Sequence, residues 1–406
     1  MKEVIIREGK VRVSIVNPIY YLRRDRVIEP TWSEVFYNPL MTFNRDFSVL
    51  VLDTYFKLNN LRGDVLDALS GTGIRAIRYY VETEALRSSD SCIANDISPK
   101  AVEGIVKNVR LNKLTPEEIR IFNEDANALM YRSKRLGLVI KYVDIDPFGS
   151  AAPFVTSSIN SVVNNGLIGI TSTDVATLSG IKVSACRRRY GVVINRTVIP
   201  NEVCLRVLLG FIAREALKFD RGIEVLISMR RLYYCRVFIK VLKSSSKANE
   251  VLLKHLGYLQ VCNNCSFINY VGIDEVSTLS NLSIKCPTCG NRLNLVGPLW
   301  IGNLGSTEFI NSLLSNLKKK YRYLQTYRYI KDQLEILKRE VTLNYTYNVA
   351  TMARFRRMNQ PKLSNLVECL NNMGYEAYKA HYNSKYIKTN APHSKLLECL
   401  EEVTDT

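Results

Sequence analysis

The sequence lacks any apolar run long enough to cross a membrane as a helix, and charges interrupt its first fifteen residues too often for an apolar signal core. We therefore expect no transmembrane segment and no export. Acidic side chains are also scarce, since 38 Asp and Glu stand against 56 Lys and Arg, a formal net charge of +18. This imbalance predicts a polyanionic partner, nucleic acid before an anionic membrane surface.

The chain also lacks internal repeats and long low-complexity tracts. Its 47% of hydrophobic and 23% of charged residues are typical of globular proteins and exclude global disorder. At 406 residues it is longer than one compact core usually holds, so two or three domains are expected. Ten cysteines without an export signal indicate a reducing compartment, so we expect a cytoplasmic location, or a nuclear or mitochondrial one in a nucleated cell.

From residue 63 onward, short apolar segments alternate with helix-like segments. This alternation predicts βαβ units and a doubly wound, Rossmann-like α/β sheet with both faces covered. The predicted strands span residues 65–68, 91–95, 119–122, 139–145, 166–171, 224–228 and 233–242. The polar stretch 242–250 has the composition of a linker. We therefore predict an α/β domain over residues 1–250 and a smaller α+β domain over residues 251–406.

The segment VLDALSGTGIRAIRYY predicts a strand, a glycine turn and a helix that together bind a nucleotide. Gly71 and Gly73 would let backbone N–H groups approach a ligand, and Asp67 ends the strand. Asp96 ends the next predicted strand, where a carboxylate can bind ribose hydroxyls. The spacing fits a nicotinamide dinucleotide as well as S-adenosylmethionine, and a turn without any ligand is the plainer alternative.

The segment NEDANALM follows the third predicted strand, where an adenine ring would lie in a doubly wound sheet. Asp125 could accept a hydrogen bond from the adenine amino group, and the Ala126 N–H could donate to the ring. Asp125 also precedes a helix-like stretch, so a helix N-cap is an equally good interpretation.

The segment KYVDIDPFGS places Asp146, Pro147 and Phe148 where a buried strand ends, at the edge of the sheet that binds ligands in such folds. The turn is similar to the [D/N]PP[F/Y] turn of methyltransferases that act on amino groups. A carboxylate at Asp146 could accept the N–H of an exocyclic amine and direct its lone pair. Pro147 would fix the turn and Phe148 would offer a stacking face. We expect Asp144 to be structural and to point to the opposite face.

Two Cys-x-x-Cys pairs, twenty residues apart, have the spacing of a zinc ribbon with four cysteine ligands. Four thiolates leave no open coordination position, so the predicted zinc is structural. Four reduced cysteines without metal are the alternative. The predicted ligands are Cys262, Cys265, Cys286 and Cys289. The remaining six cysteines are isolated and are expected to be buried.

Residues 318–357 carry eleven basic and three acidic side chains, with six tyrosines and a phenylalanine interleaved among them. Basic and aromatic side chains together suit phosphate contact and base stacking, which predicts RNA binding. The alternative is a solvated helix face whose tyrosines pack inward. His381, further on, is expected to satisfy a local hydrogen bond.

Together these motifs resemble the tRNA (guanine-26-N2) dimethyltransferase family, in particular its compact archaeal members. The matching segments are EVFYNPLMTFNRD, DALSGTGIRAIR, ANDISPKAVE, DIDPFGS, TSTDVATLSG, CRRRYG, NEVCLRVLLGFIAREA, the paired cysteines and HYNSKYIKTNAP. The resemblance implies a class I methyltransferase domain, S-adenosylmethionine as donor, and one or two methyl groups placed on N2 of a guanine in the tRNA core. The chain departs from the family at RTVIPNE, where a histidine-containing stretch is expected.

The resemblance also implies roles for single residues. The implied donor contacts are Arg45, which would belong to a lid, with Arg75, Asp96, Asp125 and Ala126. Asp146 would be the catalytic acceptor. The implied RNA contacts are Phe43 and Phe148, stacked on the base, and Lys388 and Thr389.

Three other functions stay open from the sequence. The chain could be an amino methyltransferase for another RNA or for DNA, a non-catalytic RNA-binding protein, or a nicotinamide dehydrogenase. The glycine loop, Asp96 and the DPFG turn are all intact, which argues against a non-catalytic protein with a decayed pocket. A dehydrogenase is disfavoured because the DPFG turn has no role in hydride transfer. No obligate protein partner is evident, and we expect a monomer.

Overall fold

The protein is described from a computed structural model that covers residues 2–26, 28–86, 91–277, 284–343 and 345–404. The strands in these ranges are β1 (Glu3–Glu8), β2 (Val11–Val16), β3 (Asp64–Asp67), β4 (Cys92–Asn95), β5 (Ile119–Phe122), β6 (Ile140–Ile145), β7 (Gly166–Ser172), β8 (Arg221–Arg231), β9 (Tyr234–Lys243), β10 (Leu256–Val261), β11 (Ile268–Gly272), β12 (Asn294–Trp300), β13 (Tyr345–Asn348), β14 (Ala377–Lys379) and β15 (Tyr386–Thr389). The α-helices are α1 (Thr42–Leu58), α2 (Ile74–Glu82), α3 (Pro99–Leu111), α4 (Ala126–Arg132), α5 (Ala152–Ser161), α6 (Val175–Leu178), α7 (Val183–Tyr190), α8 (Pro200–Leu217), α9 (Ser245–His255), α10 (Ile273–Ser277), α11 (Thr307–Lys320), α12 (Tyr327–Glu340), α13 (Val349–Arg356), α14 (Leu363–Asn372) and α15 (His393–Glu402).

The predicted alternation of strands and helices forms a seven-stranded sheet in the order β5-β4-β3-β6-β7-β9-β8. Strand β3 pairs in parallel with β4 and β6, so that Leu66 lies opposite Ile93 and Val143. Strands β8 and β9 form an antiparallel hairpin. Every one of the seven predicted strands is present, and β8 is longer than predicted. The α/β prediction is therefore confirmed.

The chain divides into two compact units. The first contains Met1–Pro147, Pro153–Ile170 and Ser312–Asp332, and the second contains Phe148–Ala152, Thr171–Asn311 and Gln333–Thr406. The division into functional domains at residue 250 stays a prediction. Among the described residues, no helix combines the length and apolar character that a membrane crossing requires.

Helix α1 is an interior element of the first unit, because every side chain from Phe43 to Phe56 is buried. A helix that is buried on all sides must satisfy its own polar side chains inside the protein. Asn44, Arg45 and Asp46 are such side chains. Their partners, described below, connect this helix to the predicted site.

The second unit contains two small antiparallel sheets, in the orders β11-β10-β12 and β13-β15-β14. Helices α14 and α15 belong to the same unit. The part of the chain after residue 250 is thus α+β, as predicted.

The predicted linker at 242–250 is wrong, because these residues are the end of β9 and the first half of α9. Ser244 is the N-cap of α9, and its side chain accepts a hydrogen bond from the Lys247 N–H at 3.3 Å. A serine before a helix-compatible run satisfies an otherwise unpaired helix N–H. The polar composition of this segment therefore marks a helix start.

All six isolated cysteines are buried, as expected, but two of them are bonded to each other. Cys369 and Cys399 form a disulfide with a Cα–Cα distance of 5.8 Å that joins α14 to α15. The other four are buried free thiols: Cys92, Cys186, Cys204 and Cys235. Thirty residues separate the two disulfide partners, and no spacing pattern marks them.

Candidate functional site

The loop between β3 and α2 is the predicted glycine turn. Gly71 and Gly73 have positive φ values of 54° and 76°, a conformation that side chains rarely adopt. A Cβ atom on Gly73 would lie 3.1 Å from the side chain of Ile105. The Gly71 N–H donates to Asp96 Oδ2 at 2.9 Å. The structure thus brings Gly71, Gly73 and Asp96 together where β3 and β4 end.

Asp67, at the end of β3, is fully buried, and both of its carboxylate oxygens lack a hydrogen-bond partner among the described residues. Burial, followed by the nearby charge of Asp144, raises the pKa of Asp67 to about 7. A buried carboxylate without a donor is costly, so it is normally paired or protonated. The site therefore fits a ligand that brings a cationic or hydrogen-bond-donating group to Asp67.

Asp125 and Ala126 lie at the start of α4. Asp125 is the N-cap, and its Oδ1 accepts a hydrogen bond from the Ala128 N–H at 3.0 Å. Ala126 is buried. The capping interpretation of Asp125 is therefore present in the structure, while its contact with an adenine ring stays a prediction.

Arg75, on the first turn of α2, lies against the predicted catalytic carboxylate. Its Nε donates to Asp146 Oδ2 at 3.0 Å, and Nη2 also contacts that oxygen. Nη2 further donates to Asn44 Oδ1 at 2.9 Å, and Nη1 lies 3.4 Å from Ser48 Oγ. Arg75 is buried, and the neighbouring carboxylates raise its pKa against the effect of burial. This arginine therefore fixes the orientation of Asp146 and remains charged.

Asp144 is buried and accepts hydrogen bonds from the hydroxyls of Tyr79 at 2.5 Å and Tyr142 at 2.6 Å. These contacts agree with a structural role. Its predicted direction is wrong, however, because Asp144 Oδ2 lies 3.8 Å from the same Arg75 guanidinium that binds Asp146. Side chains two residues apart in an extended chain share a face.

The two candidate stacking rings have different surroundings. The side chain of Phe148 is 61% exposed, in the turn directly after Asp146 and Pro147. Phe43 is 3% exposed and packs against Phe47 and Tyr329, with ring centroids 5.9 and 5.6 Å away. Phe148 therefore offers an accessible face, and Phe43 packs as a core residue.

Arg45 is a buried member of an ion-pair network and not a solvated surface charge. Its Nε and Nη2 bind the two oxygens of Glu8, each at 2.6 Å. Arg78 reaches Glu8 and Asp46, each at 2.7 Å. Burial alone would raise the pKa of Glu8, but Arg45 and Arg78 lower it far below its usual range. A contact between Arg45 and the donor stays a prediction.

No local pattern in the sequence indicates this network, because Glu8, Asp46 and Arg78 lie on three distant segments with no shared motif. His393 was missed in the same way. Its Nε2 lies 2.9 Å from the carbonyl oxygen of Cys265, and its Nδ1 lies 3.1 Å from Thr288 Oγ1. It therefore supports both cysteine turns from α15.

The four predicted zinc ligands converge, with all their Sγ atoms within 4.8 Å of one another. Three are buried and Cys289 is half-buried. The turn after the second pair closes with Gly290 at φ +71°, whose N–H donates to the Cys286 carbonyl oxygen at 2.9 Å. Four converging thiols with no further ligand position are compatible with structural zinc.

The basic residues between 318 and 357 are mostly exposed, whereas some tyrosines of this segment are buried and others are exposed. Tyr321 and Tyr347 are buried, whereas Tyr329 is 49% exposed. The exposed cations are Lys318, Lys319, Lys320, Arg322, Arg328, Arg339, Arg354, Arg356 and Arg357. Exposed cations are thus present in both units, and inward-packing tyrosines account for part of the aromatic pattern.

Lys388 and Thr389 are fully buried, so the implied RNA contact of these two residues is wrong. They lie on β15, the central strand of its sheet, and Lys388 Nζ is 3.3 Å from Glu202 Oε2. His381 behaves as expected, because its Nε2 accepts the Arg230 N–H at 3.0 Å and its Nδ1 contacts Glu340.

The strand order, the glycine turn after β3, the acidic end of β4 and the Asp-Pro-Phe turn after β6 define a Rossmann-like class I methyltransferase. A model of the N2,N2-dimethylguanosine tRNA methyltransferase family matches residues 18–401. The chain belongs to this family.

Similar proteins support the assignment along the whole chain. A tRNA (guanine(26)-N(2))-dimethyltransferase of Saccharolobus solfataricus is 36% identical over 406 residues, covering 99% of this chain and 100% of that protein. The same-named protein of Metallosphaera sedula is 36% identical over 99% of this chain and 97% of its own length. The solved complex of Trm1 from Pyrococcus horikoshii with S-adenosyl-L-methionine has a TM-score of 0.81 and 31% identity, and covers 98% of this chain and 99% of that one.

Proposed function

We propose that this protein transfers one or two methyl groups from S-adenosylmethionine to N2 of guanine 26 in tRNA. The observation that carries the proposal is Asp146, a carboxylate held by Arg75 in a turn next to a glycine loop. Relatives named for this activity match the chain end to end.

The donor would be held by the residues that surround the glycine turn. The carboxylate of Asp67, unpartnered among the described residues, would accept from the ammonium group of the donor's methionine part, and Asp96 from the ribose hydroxyls. The remaining proposed donor contacts are Arg45, Gly71, Gly73, Arg75, Asp125 and Ala126. When bound, S-adenosylmethionine supplies a methyl group made electrophilic by its sulfonium.

Asp146 would accept the N–H of the guanine amino group and take its proton as the new N–C bond forms. Both Arg75 contacts go to Oδ2, which leaves Oδ1 for the substrate amine. Pro147 restricts the turn, and the exposed ring of Phe148 would stack on the target base. Positioning of amine, carboxylate and methyl group supplies most of the rate enhancement.

The rest of the chain would bind tRNA and stabilise that interface. We propose that residues 251–406 form the tRNA-binding domain, in which Cys262, Cys265, Cys286 and Cys289 hold a structural zinc ion. The exposed cations between 318 and 357 would contact phosphates. We further propose that the protein works as a monomer in the cytoplasm.

The test is methylation of unmodified tRNA transcript with methyl-labelled S-adenosylmethionine, followed by nucleoside mass spectrometry. We expect N2-methylguanosine and N2,N2-dimethylguanosine, both lost when guanine 26 is replaced. Asp146→Asn should bind donor and tRNA normally but lose turnover by at least about a hundredfold, as expected for removal of a general base. The matched control is Asp220→Asn, at an exposed aspartate with φ +50° that asparagine tolerates.

Each other outcome contradicts a defined part of the proposal. A different methylated nucleoside would retain the donor but change the substrate. Wild-type turnover in Asp146→Asn would refute the catalytic role. No product with normal donor binding would indicate a binding protein, and tighter binding of NADH than of S-adenosylmethionine in calorimetry would indicate a dehydrogenase.

A further inference from the structure

The segment after the catalytic turn is paired to a second loop of the same unit. The Gly149 N–H donates to Thr173 Oγ1 at 2.8 Å, and the Thr173 N–H donates back to the Gly149 carbonyl oxygen at 2.8 Å. Gly149 has a φ of +74°, a region that favours glycine. The chain therefore leaves Phe148 through a fixed, reciprocal pair of hydrogen bonds.

A chain of buried and half-buried side chains extends this contact from the next residue. Ser150 Oγ lies 2.7 Å from Tyr190 Oη, which lies 2.9 and 3.0 Å from the two oxygens of Asp174. Ser172 Oγ donates to the same carboxylate at 2.6 Å. The four side chains form one connected network around Tyr190 Oη.

The direction of these hydrogen bonds follows from which of the groups carry a proton. Burial, followed by the charge of Asp174, raises the pKa of Tyr190 far above its usual value, so its hydroxyl keeps its proton. A carboxylate can only accept, so Tyr190 donates to Asp174, and Ser150 must then donate to Tyr190. The position of Ser150 is thus set by Tyr190, and that of the Tyr190 hydroxyl by Asp174.

Both anchoring residues are themselves held in place. Tyr190 is fully buried, its ring meets the edge of Phe211 at 5.3 Å, and its carbonyl oxygen accepts from Arg214. Asp174 stands at the N-cap of α6, yet its side chain makes no capping hydrogen bond there. An aspartate at this position normally caps its own helix, so its use for Tyr190 needs another explanation.

We propose that Tyr190 and Asp174 are positioning residues for methyl transfer. Through Ser150 they fix the segment that follows Phe148, so that its exposed ring is oriented to receive the target base. The inference rests on the proposed function, because it assumes that Asp146 and Phe148 act on a base. Orientation of reacting groups within a fraction of an ångström is worth large rate factors.

The central variant is Tyr190→Phe, which removes only the hydroxyl and keeps the ring against Phe211. We expect the single-turnover methylation rate at saturating tRNA and donor to fall by about tenfold or more, as for an interaction that acts in the transition state. The dissociation constants for S-adenosylmethionine and tRNA should change by less than about twofold. Asp174→Asn and Ser150→Ala interrupt the same network at its other members and should act in the same direction.

A second readout monitors the stacking itself. tRNA with 2-aminopurine at position 26 should lose fluorescence on binding native protein, because the base stacks on an aromatic ring. Phe148→Ala gives the fluorescence of the bound tRNA without that ring. The fluorescence with Tyr190→Phe should lie between this value and the value for the native protein. The matched control is Tyr55→Phe, which deletes another hydroxyl of a buried tyrosine, 2.9 Å from the Asn165 carbonyl oxygen. This variant should quench the 2-aminopurine fluorescence and methylate tRNA as the native protein does.

The outcomes separate this inference from the proposed function. A native rate and native quenching in Tyr190→Phe would overturn it, as would a lowered melting temperature with an unchanged rate. If Tyr190→Phe does not fold, Ser150→Ala, at a half-buried residue, decides the question by the same two measurements. Activity that survives in Asp146→Asn would instead reject the proposed function, whatever the Tyr190 variant does.

Discussion

Removing the charge of the buried arginine Arg78 should destabilise the folded protein more than most single substitutions. Its guanidinium contacts Glu82 at 2.8 Å, and Glu8 and Asp46 at 2.7 Å each, with essentially no exposure of any of the four side chains. Arg78→Met keeps most of the volume and removes the charge. Breaking a buried ion pair by deleting one partner typically costs about 3 to 5 kcal/mol, because it leaves an uncompensated buried charge.

The remaining contacts of the three carboxylates limit the expected loss. Glu8 keeps Arg45 at 2.6 Å, and Glu82 keeps the hydroxyl of Tyr323 at 2.9 Å. Asp46 keeps both hydrogen bonds from Thr326, but only to its Oδ2. We therefore expect Arg78→Met to lower the free energy of unfolding by about 3 kcal/mol at neutral pH, which is the lower end of the usual range.

The pH dependence of this loss gives a sharper test. In the native protein Arg45 and Arg78 lower the pKa of Glu8, so its contribution is present above the unfolded pKa and is lost as pH falls towards the folded one. In Arg78→Met, Glu8 loses one of the two cations that lower its pKa, so its pKa rises and acid protonates it more readily. The two stability curves should converge as pH falls below about 5.

The assay is chemical denaturation followed by circular dichroism, at neutral pH and at two acidic pH values. The matched control is Arg132→Met, where the arginine meets Glu124 at 3.1 Å with 48% of its side chain exposed. An exposed pair of this kind contributes less than about 1 kcal/mol. The reasoning would be refuted if Arg78→Met lowered the free energy of unfolding as little as the control does, or if the difference from the native protein grew at acidic pH.

Three further predictions concern the donor site, the cysteine cluster and the disulfide. Because Asp67 has a pKa of about 7 and a cationic ligand favours its ionised form, calorimetric affinity for S-adenosylmethionine should rise as pH rises through 7, and Asp67→Asn should remove that rise. Purified protein should contain one zinc ion per chain by mass spectrometry, and Cys265→Ser should lose both the metal and several degrees of melting temperature, whereas Cys204→Ser should keep the metal. Reduction, or Cys369→Ser, should lower the free energy of unfolding by roughly 3 to 4 kcal/mol from the 30-residue loop that the disulfide closes, and an unchanged denaturation midpoint would show that the bond is absent in solution.

The sequence was a good guide wherever the signal is local. Strands β3 to β7, the glycine turn and the paired cysteines are each encoded by spacing within a few residues, and each is present. The error at 242–250 is also local, since serines that open a helix and serines in a linker have the same composition. Local patterns therefore identified the class of site but not every boundary.

Long-range pairing explains what the sequence could not predict. The family resemblance implies an RNA contact for Lys388, yet this lysine is buried inside the second unit, where Glu202 neutralises it. Glu8, the partner that Arg45 and Arg78 share, likewise comes from β1, far from the motif that contains either arginine. Charge counts along the chain thus overestimate the cationic surface wherever a distant carboxylate is buried with a cation.

The contacts around the proposed catalytic turn suggest why so much charge is buried in this protein. Arg75 is oriented by Asn44 of α1, and the next residues of that helix, Arg45 and Asp46, are fixed by Glu8 and Arg78. Helix α1 therefore supports Arg75 at Nη2, the same nitrogen that contacts Asp146. Further along the chain, Tyr190 and Asp174 fix the residues after Phe148. In the proposed mechanism, a weakly nucleophilic amine gains most from a carboxylate that cannot move, and we therefore infer that these polar contacts serve catalysis as well as stability.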